Sequence, residues 1–275
     1  MKKYFALAIL LVNVVSCELL EDAANDTGSI DIAEGLKEAL KVGTDTATSK
    51  LAVLDGYLKD EAVKILLPDE LEAQIQKFKD FQINILGLGS ISGEQIYSAG
   101  LPAFGINSLE SREEELILGI NRAAETAAKE VGPIFFDAIT SITITDAENI
   151  LYGSDTAATA FLIDRTYASL FNTFEPKVNA AVNSVRVGNS ERSVEELYSD
   201  YVAEYNNILN TSVGLGTIGS LSNLNTISQP DISAFATEKG LSGLFLKVQE
   251  EEKSIRENPL ARVTEILQDV FQLLD

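Results

Sequence analysis

Two groups of charged side chains in this 275-residue chain have types and spacings that could do chemistry. Glu250, Glu251 and Glu252 stand just ahead of Arg256, with Glu125 and Asp137 elsewhere. Paired carboxylates of this kind serve as general acid and base or hold a hard cation. Spacing argues for a plainer role. Lys247 to Glu251 and Glu252 to Arg256 are each four apart, which predicts ion pairs along the solvent face of one helix. No stretch has the alternating Asp/Asn and Gly of a calcium loop, so no metal site is expected. The second group is Asn121, Arg122 and Glu125. Arg122 and Glu125 lie three apart in an Ala-rich stretch and suit a buried or half-buried ion pair that fixes helix register. Together with Arg165, Arg122 could instead hold a carboxylate or phosphate bidentately. Arg122, Glu125, Arg165, Glu252 and Arg256 are therefore the candidate ligand or register residues, and no residue is given a catalytic role.

What is missing constrains the chemistry further. The chain has no histidine and one cysteine, Cys17. That removes Ser-His-Asp and Cys-His machinery, His-ligated zinc, and the side chain best suited to proton transfer near neutral pH. Cys17 itself closes a distinctive start: Lys2 and Lys3, an apolar run from Tyr4 to Val15, then Val14-Val15-Ser16-Cys17. The run is shorter than the roughly twenty residues that span a bilayer. It resembles the signal peptide and lipobox of bacterial lipoproteins, in which the chain is cut before the cysteine and the cysteine is acylated. The resemblance implies a signal peptide over residues 1–16, a lipid attached at Cys17 and a cell-envelope location, facing the periplasm or the cell surface. No thiol would then remain for a disulfide, a nucleophile or a metal.

Net charge is −21, and loss of residues 1–16 would remove Lys2 and Lys3 but no acid, leaving −23. Phosphate backbones are bound largely through Lys and Arg, so nucleic acid is not an expected partner. An anionic lipid surface would also repel the chain within a Debye length of about 8 Å, so contact with the membrane would be covalent, through Cys17. Residues 18–29 are short on large apolar side chains and rich in Asp, Asn and Gly, which predicts a flexible tether over 17–29 ahead of one domain, 30–275.

The elements that must position the charged groups follow from periodicity. A helix is expected over 30–54, weakened by Gly35 and Gly43, then a turn at Asp55-Gly56 and a short helix over 59–67 stopped by Pro68. A helix with Pro68 near its start runs to about Leu86, with Leu71, Ile75, Phe78, Gln82 and Ile85 on its inner side. Residues 87–109, with six Gly or Pro, read as a long loop. Capping boxes are expected at Ser111/Glu114, Thr145/Glu148 and Ser193/Glu196. Pro176 marks a turn or kink. Behind Ser193 lies the cleanest amphipathic stripe: Val194, Leu197, Tyr198, Tyr201, Val202, Tyr205, Ile208 and Leu209. Its tyrosines could stack on a ligand; core packing with hydroxyls at the rim is the favoured reading.

Residues 210–229 form a second Gly-rich loop. Gly214, Gly216 and Gly219 match a dinucleotide-binding spacing, but that motif needs a strand before it and a helix after, so no cofactor is expected. Helices over 231–257 and from Leu260, with Leu260, Val263 and Leu274 among the inward positions, complete the chain. The best strand candidate, 141–145, is short. The expected fold is all-α, an irregular multi-helix bundle of roughly nine to eleven helices.

The stretches Ile32–Leu40, Asp55–Asp60 with Val63–Pro68, Asn121–Glu125, Asp155–Thr159, Thr237–Leu241, Glu251–Arg256, and Asn258-Pro259 with Arg262 resemble the bacterial family called domain of unknown function 4197, across nearly all of the chain after Cys17. The resemblance implies an all-helical envelope lipoprotein of unassigned activity, with both Gly-rich loops longer than the family's connections. The expected role is a non-enzymatic binding or scaffold module with an envelope protein partner. A carrier of an apolar small molecule in an inter-helix cavity, or a carboxylate-based hydrolase, are the alternatives.

Overall fold

The structure, a computed structural model, describes residues 31–85, 87, 89–186, 192–228 and 231–275. The expected signal peptide, Cys17 and the tether lie outside these residues. Eleven α-helices are present among those described, with one two-stranded hairpin. The all-α bundle expected from periodicity is what forms.

At its centre is α10 (Ile232–Glu257), opened by Asp231, whose carboxylate accepts from the Ser233 and Ala234 amides. It packs against α7 (Ala157–Ser184), α1 (Ile32–Leu51) and α4 (Glu110–Ala128). Helices α5 (Gly132–Thr140), α6 (Ile144–Leu151) and α11 (Glu265–Phe271) also close around α1. Helix α8 (Val194–Asn210) lies on α4 and α7 and carries α9 (Ile218–Ser222). The α1 and α10 axes are antiparallel. Leu36 and Ala39 share a void with Ile255 and Arg256, while Tyr57, beyond the end of α1, donates its hydroxyl to the Gly240 carbonyl at 2.8 Å. Gly35 does not break α1, because it is where α11 approaches: a Cβ there would meet Val270 Cγ2 at 2.3 Å.

Several local expectations are corrected. Residues 59–67 are a chain of turns without a helix. Helix α2 covers Asp69–Asp80 and stops there, since Phe81, Ile83 and Ile85 alternate inward along β1 (Gln82–Ile85), leaving Gln82 exposed. Strand β2 (Gly89–Ser92) pairs antiparallel with it around Gly87, whose φ of +89° suits the turn. Helix α3 (Gly93–Ala99) follows, so the expected loop is largely ordered. Residues 141–145 are not a strand; Thr143 caps α6 in a box with Asp146, two residues ahead of the expected one. Ser111 does not cap α4, which begins at Glu110 without a side-chain cap. Pro176 sits inside α7, where buried Phe174 and Val178 hold the helix together on either side. Leu260 and Val263 are exposed.

The stripe on α8 is buried at every one of its eight positions, behind a Ser193–Glu196 capping box. Its hydroxyls are not at the rim. Tyr201 donates to Glu113 Oε2 at 2.8 Å, whereas the Tyr198 and Tyr205 hydroxyls are buried without a partner among the described residues. Burial pushes both phenols up to about 12. These tyrosines pack as core, with Tyr205 against Phe78 at 5.6 Å between ring centroids.

Candidate functional site

The second charged group organises the irregular chain between α1 and α2. Asn121 on α4 is fully buried and treats Ile65 as a strand neighbour would: its Oδ1 accepts from the Ile65 amide at 2.9 Å and its Nδ2 donates to the Ile65 carbonyl at 2.7 Å. One turn on, Glu125 Oε1 accepts from the Tyr57 and Leu58 amides at 3.3 and 3.4 Å. Its other oxygen takes Arg122 Nη1 at 2.7 Å. Arg122 Nη2 then donates to Asp55 Oδ1 at 2.6 Å, and Lys59 pairs with Asp55 Oδ2 at 2.7 Å. Asp55 has a φ of +69°, a left-handed conformation costly for most residues that lack glycine's freedom. A left-handed turn is thus clamped from two sides. The expected Arg122–Glu125 pair exists, and Asp55 and Tyr57 are the partners that sequence spacing did not reveal.

At the apex of this turn Val53 and Leu54 are 55% and 74% exposed. Clefts of about 420 and 440 Å³ flank them, one bordered by Lys50, Lys59 and Lys247, the other by Arg122, Lys129 and Arg186. Lys50 pairs with Glu251, and Lys247 with Asp60 at 2.6 Å and Glu250 at 2.9 Å. Lys247 pairing therefore goes to Glu250 and Asp60, with Glu251 turned to α1.

Within the first charged group the Glu252–Arg256 pair is buried, which corrects the expectation of a solvent face for it, while Glu250 stays exposed. Glu252 and Arg256 are 8% and 7% exposed. Glu252 closes the start of α7: Oε1 accepts from the Ala158 amide at 2.9 Å, and Oε2 from the Thr159 amide and hydroxyl, each at 2.8 Å. Arg256 Nε bonds Glu252 at 3.0 Å, and its amines close the end of α6 on the carbonyls of Leu151 and Ile150 at 3.0 and 2.8 Å. Carboxylate at a helix N-terminus and guanidinium at a C-terminus each oppose the local dipole. Adjacent helices are joined through one ion pair on a third. The chemistry here is structural, since every oxygen of Glu252 is already engaged.

Arg165 stands apart. It is exposed on α7, over the Phe161 ring and 3.8 Å from Asp164, and nothing among the described residues brings it to Arg122, so the expected bidentate grip does not form. Asp137 lies on α5, at a groove beside α1, away from both groups. No group of three acidic residues that could hold a metal occurs among the described residues. Gly214 and Gly216 follow helix α8 in a tight turn in which the Val213 amide bonds the Gly216 carbonyl at 2.9 Å, and Gly219 lies in α9, so the expected loop over 210–229 contains a short helix. It has no strand before it. The void beneath α10, lined by Leu36, Val248, Glu252 and Phe271 among others, is about 20 Å³, room for one water.

Electrostatics of the clamp predict its pH response. Lys59 and Arg122 hold the Asp55 carboxyl below the usual carboxylate range; Lys247 does the same for Asp60, and Arg262 for Asp275. A group whose folded pKa lies below its unfolded one adds stability above the unfolded value, here 3.8, and loses it as pH falls through the folded value. Urea midpoints should not respond to these groups between pH 7 and about 5 and should fall below about pH 4. The Asp55→Asn protein should show a smaller acid-induced fall; an equal one would remove Asp55 from the account.

No curated protein and no solved structure matches this chain. The family described as Protein of unknown function (DUF4197) matches residues 26–86 and 99–272. The gap, residues 87–98, covers Gly87, β2 and most of α3, the first part of one of the two Gly-rich stretches expected to exceed the family's connections; the second stretch lies inside the match. The stretches that carried the resemblance prove to be one another's partners: Asn121–Glu125 grips Asp55–Leu58 and Ile65, Tyr57 reaches Gly240, and Glu252 with Arg256 holds Ala158 and Thr159. With the match spanning most of its length, the chain belongs to the DUF4197 family.

Proposed function

We propose that this protein is a lipid-anchored, non-catalytic binding module of the bacterial cell envelope that offers the Val53–Leu54 turn to a protein partner. One observation carries the reading: two exposed aliphatic side chains directly precede the left-handed residue Asp55, which Arg122 and Lys59 grip while Glu125 holds the Tyr57 and Leu58 amides that follow it. Fixing an exposed apolar pair lowers the entropy lost when a partner covers it. The lipobox residues before Cys17 support the location, and no helix among the described residues is long and apolar enough to cross a membrane. Glu125, Glu250, Glu251 and Glu252 are engaged by arginine, lysine or backbone amides, which favours binding over acid/base work at these carboxylates. The void among α1, α7, α10 and α11 has room for one water, so an apolar ligand has no space at that place.

Two measurements test this reading. Palmitate labelling and globomycin-sensitive processing should both be lost in the Cys17→Ala protein, and unchanged membrane partition of that protein would defeat the anchor. Leu54→Asp should leave the melting temperature within about 2 °C, as expected of an exposed position, while reducing the partner co-isolated from cross-linked envelopes at least tenfold. Undiminished co-isolation would move the binding surface elsewhere.

A further inference from the structure

The turn between α10 and α11 leaves aliphatic side chains in water on either side of a buried arginine. Leu260 is 91% exposed and Val263 67%. Between them Arg262 is buried: its Nε donates to the Ile255 carbonyl at 3.1 Å, Nη2 to the Arg256 carbonyl at 3.0 Å, and both amines to the Asp275 carboxylate at 2.7 and 2.8 Å. Gln268 Nε2 donates to the Arg262 carbonyl at 3.1 Å from the other side. The Asp275 bonds also bring Leu273 and Leu274, both partly exposed, to this end of the molecule.

The place of this turn in the fold says what it faces. Because α10 is antiparallel to α1, and Gly35 abuts Val270 of α11, the turn lies at the end of the bundle where α1 begins. Asp31 lies fourteen positions after Cys17, a reach of at most about 50 Å. The Val53–Leu54 turn stands at the opposite end of α1, whose 20 residues extend about 30 Å. We infer that the Leu260–Val263 turn is a bilayer-seating surface, which enters the interfacial region of the membrane to which Cys17 is attached and so points Val53 and Leu54 away from it. The inference rests on acylation of Cys17. Around the turn, Glu257, Glu265 and Asp269 are exposed, and Lys253 is taken by Glu257 at 3.7 Å. The matching surface is therefore zwitterionic lipid, and an anionic one would be repelled. Two aliphatic residues are too little to hold a protein whose charge is −23 after loss of residues 1–16. A tether makes the contact intramolecular, where a weak preference suffices to set orientation.

The absence of tryptophan from the chain allows a direct test. Acylated full-length Leu260→Trp and Leu54→Trp proteins would be placed in vesicles of phosphatidylethanolamine and phosphatidylcholine with brominated acyl chains. The Leu260→Trp protein should emit at shorter wavelength and be quenched at least about twofold more than the Leu54→Trp protein, and adding Val263→Asp should reverse both effects. Equal quenching in proteins that sediment with the vesicles would overturn the inference and leave the anchor standing, and stronger quenching of the Leu54→Trp protein would reverse the orientation and overturn it too. Failure of the acylated proteins to sediment with vesicles would overturn the anchor and the inference together.

Discussion

Replacing Glu252 by alanine should destabilise the domain by about 3–5 kcal/mol, the range for removing one partner of a buried ion pair. Three consequences combine in that figure. Arg256 would keep its charge in a site 7% exposed with no carboxylate beside it. The start of α7 would lose its only side-chain closure, because Thr156 at the N-cap makes no capping bond. The Ala158 and Thr159 amides would be left without acceptors in buried surroundings. Urea denaturation of the mature domain measures the effect directly. A second variant separates the pair from its setting: Glu252→Leu combined with Arg256→Met should cost clearly less than the sum of the single changes, since it leaves no unpaired charge. A loss below about 1 kcal/mol for Glu252→Ala would mean that the ion pair joining α6 to α7 is not what holds them.

The second large effect is expected at Asn121. Leucine is of similar volume there, yet it would leave the Ile65 amide and carbonyl unpaired in the interior, at about 1–3 kcal/mol for each group and about 2–6 kcal/mol in all. The damage should be local in its dynamics. Residues 52–67 have turns in place of a helix or sheet, so their order depends on α4 side chains reaching across. Hydrogen exchange in the Asn121→Leu protein should accelerate over 52–67 while the amides of α10 and α7 keep their relative protection. Uniform acceleration across all three would show that the segment is no separate unit.

Much of this architecture was legible in the sequence, for reasons that particular residues make plain. Every position of the α8 stripe is buried because a 3.6-residue period reports the face of a helix whatever it packs against. The Ser193–Glu196 box is local and follows from spacing alone; the box at Thr143 is masked in the sequence because Thr145 and Glu148 offer the same spacing two residues later. Phe81, Ile83 and Ile85 do alternate, but a helical stripe running into them from Leu71 hid the change of period. The site was harder. An i,i+3 or i,i+4 spacing identifies Arg122 with Glu125 and Glu252 with Arg256, and is silent about Asp55, Tyr57 and Thr159, which lie 67, 68 and 93 residues from the groups that bind them. One signal for the burial of Glu252 was present: it falls four residues after Val248 and three before Ile255, inside the apolar stripe of α10 and off its solvent face.

The claim that the Val53–Leu54 turn is the partner-binding surface is tested most directly inside the cell. A photo-activatable side chain at position 54 can be compared with the same group at position 215, where Leu215 is fully exposed on the Gly-rich turn before α9. Position 54 should give one discrete protein adduct, lost when Arg122→Met releases Asp55, and position 215 should give none. Matching adduct patterns at the two positions, or an adduct at 54 that persists without Arg122, would contradict the account.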